Sequence, residues 1–184
     1  MFKLTEHNQR LHKCAEILGF KAPYFVEELD VATVEFLARR GFSDAYVRPI
    51  AWRGSEMMGV SAQANRINVA IAIWQWGSYF NPTEKLKGIR LDIAECRRPD
   101  PKTAPCASKA AGLYMICTIS KHAAEAKGYA DAMMLDYRSQ IAEATGANIF
   151  FIKDGVIHTP TPNCFLNGIT ARPSSNSPNA AASR

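Results

Sequence analysis

Residues 143–169, EATGANIFFIKDGVIHTPTPNCFLNGI, set two apolar runs around the pair Asp154-Gly155. Asp-Gly between apolar segments predicts a hairpin, with Asn148–Lys153 returning through that turn to Val156–Thr159. Glu143 stands just ahead of it, followed by small residues and a glycine. That setting suits the rim of a cavity or a plain turn. At the far end, Gly168-Ile169-Thr170 follows a loop and is able to open a helix, whose free N–H groups bind phosphate.

Upstream of this stretch, Ala132–Asp136 predicts a strand that returns through Arg138-Ser139-Gln140. Ser108–Lys127 predicts a mostly apolar helix stopped by Gly128, and Gly88–Glu95 a strand. Between the two, Arg97-Arg98-Pro99-Asp100-Pro101 reads as a rigid turn. Residues 77–87 read as a loop and domain boundary. Before it, residues 5–20 and 24–40 carry helical spacing, the second helix with Val31, Val34, Leu37 and Ala38 on its apolar face. Ala45–Ala51 and Ile67–Trp76 are β-branched and aromatic, and predict strands. Trp74, Trp76, Tyr79 and Phe80 form an aromatic group beside Gly77. Residues 171–184, ARPSSNSPNAAASR, hold no large apolar side chain and are expected to be irregular.

Composition narrows the function classes. The 184 residues are 47% hydrophobic and 21% charged, which is ordinary globular material. The longest apolar runs fall short of the ~20 residues of a membrane span. The opening MFKLTEH lacks the apolar core of an export signal. The net charge of +5 includes Arg172 and Arg184 from an acid-free tail; a smaller excess remains without them, too little for a nucleic-acid footprint. Five cysteines without any Cys-x-x-Cys spacing suit reduced thiols in a cytoplasm, not a zinc site or a disulfide frame. The four histidines show no ligand spacing, so no metal is expected.

Lys109 lies in CASKAAGLYMIC, where an apolar helix would desolvate its amine and lower its pKa. A lysine snorkelling from a half-buried helix fits the same context. Arg10, on the first helix, reads as a solvated charge.

The order and spacing of these elements say more than any one of them. EATGANIF, six residues, IHT, six residues and LNGI resemble the signature of class IV (fold type IV) pyridoxal-phosphate aminotransferases. EHNQRL, YVRP at 46–49, WQWGSY at 74–79, RRPDPKTAPCASKAAGLY at 97–114 and GYADAMMLD at 128–136 resemble the branched-chain amino-acid group of that family. D-amino-acid aminotransferase and aminodeoxychorismate lyase share the fold and remain alternatives.

The resemblance implies an α+β, two-domain fold type IV architecture. Residues 1–76 would be a small N-terminal domain lacking its first strands, 77–87 the interdomain loop, 88–170 part of the large cofactor-binding domain, and 171–184 an aberrant tail. It also implies pyridoxal 5'-phosphate as cofactor. Lys109 would link to it and move the substrate's α-proton, and Glu143 would pair with its ring nitrogen. Tyr114 would lie beside the ring, with Arg10 and the backbone of Ile169 and Thr170 at the phosphate. Tyr46 and Arg48 would stand near the substrate carboxylate, and Trp76 and Tyr79 would wall an apolar side-chain pocket. The implied reaction is ping-pong: leucine, isoleucine or valine leaves its amine on the cofactor, and 2-oxoglutarate collects it as glutamate. A homo-oligomer is expected of the complete protein.

The resemblance breaks after Thr170. The signature continues into G-I-T-R and a long helix, whereas Ala171 and a tail containing Pro173 and Pro178 stand here. A one-base change of frame at codon 171, with permitted codons, turns the tail into KTVIELAKRRGIE, an amphipathic continuation. On this reading the chain is truncated at both ends and inactive alone. It would be a shortened aminotransferase or a non-catalytic remnant of one.

Overall fold

The computed structural model describes residues 2–77, 86–172 and the backbone of 180–183. The chain divides into two compact units, Met1–Tyr79 and Phe80–Arg184.

The first unit holds helices α1 (Leu4–Ile17) and α2 (Val26–Arg40) and strands β1 (Tyr46–Arg53) and β2 (Ile67–Trp74). The Phe25 N–H donates to Glu28 Oε2 at 2.6 Å, satisfying a free donor where α2 begins. At its other end Gly41 takes φ 66°, a left-handed cap that glycine adopts without strain. A polar clamp joins the helices: Asn8 Nδ2 and the Thr5 hydroxyl donate to the two oxygens of Asp30, at 2.6 and 2.5 Å.

That clamp fixes the rotation of α2 and corrects the expected apolar face. Leu29 and Thr33 are buried, while Val31 and Val34 are 57% and 51% exposed. Leu29 and Thr33 stand one turn apart on the side that Asp30 turns toward α1. Thr33 tolerates burial because its hydroxyl donates to the Leu29 carbonyl at 2.7 Å. Strands β1 and β2 form an antiparallel ladder from Tyr46 opposite Trp74 to Arg53 opposite Ile67. Arg53 ties this ladder to the end of α1, donating to the Leu18 carbonyl at 2.9 Å.

In the second unit β3 (Leu91–Ile93) pairs in parallel with β4 (Asp131–Leu135), and α3 (Tyr114–Ala126) makes the crossover such a pair requires. Strand β5 (Ile141–Ala144) returns antiparallel to β4, giving the order β3-β4-β5. The turn between β4 and β5 is built on Asp136, whose Oδ1 accepts the N–H groups of Arg138 and Gln140 at 2.8 and 2.9 Å. Strands β6 (Phe151–Lys153) and β7 (Val156–Pro160) form the Asp-Gly hairpin. Asp154 and Gly155 take φ 52° and 75°, the two positive angles of the turn that matches strand twist. Strand β8 (Ala180–Ser183) runs parallel to β7. Of the tail expected to be irregular, residues 180–183 instead form β8, and 173–179 and 184 lie outside the described residues.

Several expected elements are shorter than their sequence patterns, among them the strand expected over Asn148–Lys153, which spans only Phe151–Lys153. The helix expected from Ser108 starts only at Tyr114, after a 3-10 turn at Ala111–Leu113. The Pro105 carbonyl accepts the Ser108 N–H at 2.9 Å, a tight turn that keeps the stretch before Lys109 out of the helix. Strand β3 spans three residues because its pairing with β4 becomes irregular, resuming as an isolated bridge between Arg98 and Asp136. Helix α3 buries Cys117, Ser120 and Ala124. In the same unit Ala132, Met134, Cys164 and Phe165 are buried. All five cysteines are free. No helix among the described residues is long and apolar enough to cross a membrane.

Candidate active site

Glu143 stands within β5, opposite Met134 of β4, and is buried. It is therefore not the turn residue that the sequence also allowed. Burial withdraws water from the carboxylate and pushes its pKa up to about 7, against the pull of two positive charges, Arg98 and Lys109. Arg98 Nε lies 3.3 Å from Glu143 Oε1, with both side chains nearly enclosed. The contact is an ion pair without the alignment of a hydrogen bond. That leaves desolvation the larger effect.

Lys109 precedes the 3-10 turn and is exposed, so the desolvating helix expected around it is absent. Its amine is set by Tyr114, the first residue of α3. The two side chains are hydrogen-bonded, and Lys109 Nζ lies 5.0 Å from the Tyr114 ring centroid. Neighbouring Ser108 and Cys106 are buried, anchoring a loop whose tip carries the amine. A lysine amine, a phenol and a buried carboxyl facing that lysine's charge thus come from three separate stretches of chain.

Asn148 organises the other end of the signature. Its Nδ2 donates to the Leu166 carbonyl at 3.2 Å. Its Oδ1 occupies the space a Cβ at position 168 would take, so a larger residue there must displace the Asn148 side chain. Past Gly168 the chain turns at Ile169 and Thr170, and the Gly168 carbonyl accepts the N–H groups of Ala171 and Arg172 at 3.1 and 3.2 Å. Ile169 is buried and Thr170 exposed. In the same unit an open cavity of about 640 Å³ lies between Arg138, Gln140, Phe151 and Asn163. Neither Lys109 nor Glu143 lines it, so it is separate from the candidate site.

In the first unit Tyr46, Trp74 and Trp76 cluster at one end of the ladder, with ring centroids 4.9, 5.5 and 5.8 Å apart. The Arg48 guanidinium lies 5.4 Å from the ring centroids of both Tyr46 and Trp74. Arg10 is half-buried and contacts His7 Nδ1 at 3.3 Å, which corrects its reading as a merely solvated charge. Tyr79 and Phe80 lie outside the described residues. No cluster of metal-ligating side chains occurs among the described residues.

Arg98 is the residue that sequence reasoning missed. The sequence sets it beside Arg97 in a turn, yet Arg97 is exposed and Arg98 is buried. The available signal is the period-two alternation of an extended segment, which sends neighbours to opposite faces.

The sequence pattern of the class IV amino-transferases matches residues 1–174. The chain belongs to that family. Among the relatives of this class IV chain is a protein of Rickettsia conorii named "Probable branched-chain-amino-acid aminotransferase". It is 42% identical over 170 residues, 92% of this chain and 57% of that protein. The branched-chain-amino-acid aminotransferase of Escherichia coli K12 is 34% identical over 172 residues, 92% of this chain and 56% of that protein. The chain thus spans little more than half the length of these relatives.

The class IV fold is equally plain in three dimensions. The T.th. branched-chain amino acid aminotransferase, solved with pyridoxamine 5'-phosphate, superposes with a TM-score of 0.91 at 33% identity. The match covers 98% of this chain and 61% of that one. The same T.th. enzyme has been solved with N-(5'-phosphopyridoxyl)-L-glutamate and with 4-methylvaleric acid. This chain therefore has the mixed α/β fold type IV architecture.

Proposed function

We propose that the chain carries the cofactor-binding residues of a transaminase that moves amino groups between branched-chain amino acids and 2-oxoglutarate, with pyridoxal 5'-phosphate as cofactor. The observation that carries this reading is a tyrosine-bound Lys109 amine whose charge acts on a buried carboxyl, Glu143, poised at about 7. The site fits the cofactor. Lys109 supplies the amine for its aldehyde, Tyr114 a phenol beside it, and Glu143 a carboxyl able to exchange a proton with a pyridine nitrogen. When bound, the cofactor supplies an electron sink for the charge left as the α-proton departs.

The side chains of this protein do the rest. Lys109 takes the proton from the substrate's α-carbon and returns it elsewhere, and its exposure lets it swing between the two positions. Glu143 keeps a proton on the ring nitrogen. Arg10 and the backbone of Ile169 and Thr170 hold the phosphate, and Gly168 lets Asn148 approach the turn that carries them. Arg48 and Tyr46 meet the substrate carboxylate, with the guanidinium held between two rings. Trp76 walls the apolar side-chain pocket. The T.th. complexes with a branched acid and with a glutamate adduct support both substrate classes.

We place the protein in a reducing compartment such as the cytoplasm, in keeping with its five free cysteines. It assembles with copies of itself, in keeping with the exposed Val31, Val34, Met115 and Ile119.

Reductive trapping tests the reading. The purified chain is treated with pyridoxal 5'-phosphate and borohydride, and the labelled lysine is mapped by mass spectrometry. Lys109 should take the label ahead of the other nine lysines. Label spread evenly, or concentrated elsewhere, overturns the assignment. Leucine-dependent glutamate formation from 2-oxoglutarate then separates a working enzyme from a chain that only holds the cofactor.

A further inference from the structure

Glu143 is useful to a ring nitrogen only as a carboxylate, and its setting works against that form. It stands in a strand, with Ala142 and Ala144 beside it and Met134 opposite, all buried. Four groups that can carry charge face it: Arg98 next to β3, Lys109 on its loop, and the thiols of Cys106 and Cys117. Burial pushes both thiols up, so they stay neutral and add no charge at physiological pH. Lys109 has a second task that removes its charge during the reaction. Arg98 is the one facing cation that is buried, cannot lose its proton, and plays no part in the chemistry.

We propose that Arg98 is a positioning residue that aims Glu143 and favours its carboxylate form, so that a protonated ring nitrogen meets a counter-charge when the cofactor binds. Arg98 is fixed on three sides. Its backbone N–H donates to the Leu135 carbonyl at 2.8 Å, locking the backbone to the end of β4. Its Nη1 donates to Cys117 Sγ at 3.5 Å, and Cys117 Sγ reaches the Leu113 carbonyl at 3.8 Å. Its Nε meets Glu143 Oε1 at 3.3 Å. The guanidinium contact fixes one of the two carboxylate oxygens. The Cys117 link runs back to the turn that leads into Tyr114, so the carboxylate and the Lys109–Tyr114 pair share one scaffold.

The proposal rests on the cofactor reading for its purpose, and its test does not. The ligand-free chain is labelled with ¹³C-carboxyl glutamate, and the Glu143 signal is identified by its loss in Glu143→Gln. Its midpoint in the parent should lie near pH 7. In Arg98→Met it should rise by about one unit or more, a tenfold change in proton affinity. Arg98→Lys, which keeps the charge, should return most of the shift. A midpoint that moves by less than ~0.3 unit in Arg98→Met overturns the proposal.

If Arg98→Met does not fold, the double variant Arg98→Met/Glu143→Gln decides. It should fold, because neither partner is left as an uncompensated buried charge. A double variant as unstable as the single one would make Arg98 a packing residue only. With ¹⁵N-labelled pyridoxal phosphate added, the ring nitrogen should keep its proton at pH 8 in the parent and lose it in Arg98→Met. A parent that binds no cofactor would refute the functional reading, while the titration still decides the role of Arg98.

Discussion

The raised carboxyl of Glu143 makes the stability of the ligand-free chain fall as pH rises. Its pKa goes from 4.5 in an ordinary setting to about 7 in the folded chain. A group raised on folding favours the folded state fully below its unfolded pKa, and that support is lost as pH climbs through the folded value. The window is therefore pH 4.5 to 7. Near 1.36 kcal/mol per unit, the full effect is roughly 3 kcal/mol. Glu143→Gln carries no such proton. The substitution leaves Arg98 charged and unpaired, but that cost is the same at every pH.

The clean quantity is thus the gap between the two variants' stability curves, not either curve alone. Across the window the parent should lose about 3 kcal/mol relative to Glu143→Gln, and the gap should be flat above pH 8. Urea unfolding of the chain without cofactor measures it. Trp52, Trp74 and Trp76 all belong to the first unit, so far-ultraviolet circular dichroism must follow the second unit's transition. Parallel curves, with a gap changing by less than ~0.5 kcal/mol, would mean that Glu143 titrates normally. A carboxyl poised near neutrality would then be ruled out.

Three further outcomes are expected. Lys109→Ala should abolish pyridoxal phosphate trapping and leave the urea midpoint unchanged, because the exposed side chain supports little of the fold; a lost transition would show a structural role instead. Gly168→Ala should cost about 1–3 kcal/mol through the clash with Asn148 Oδ1, and adding Asn148→Ala should recover part of it in the same urea titration. Asn8→Ala removes a buried partner of the Asp30 carboxylate, and tryptophan fluorescence should report a loss of about 1.5–3 kcal/mol in the first unit.

Much of the molecule follows from local rules that the chain itself carries. The Asp154-Gly155 turn, the glycine ending α2 and the strand character of β1 and β2 need only the φ preferences of glycine and the β propensity of branched and aromatic residues. Lys109, Tyr114 and Glu143 were legible as candidates because their order and spacing match the class IV pattern. None of the three was legible from its own surroundings: periodicity put Lys109 on a desolvating helix and left Glu143 as a possible turn residue.

Tertiary structure decided the rest. The face of α2 was set by the bonds of Asp30 to Asn8 and Thr5, 22 and 25 residues away, and a 3.6-residue pattern does not register such a partner. The burial of Glu143 comes from its pairing with β4 and from an arginine 45 positions earlier, which meets it only because β3, β4 and β5 lie side by side. Hydrophobic periodicity reports which side of an element avoids water. It carries no record of which charge from another element will stand opposite, and the proton affinity of a buried acid depends on that charge.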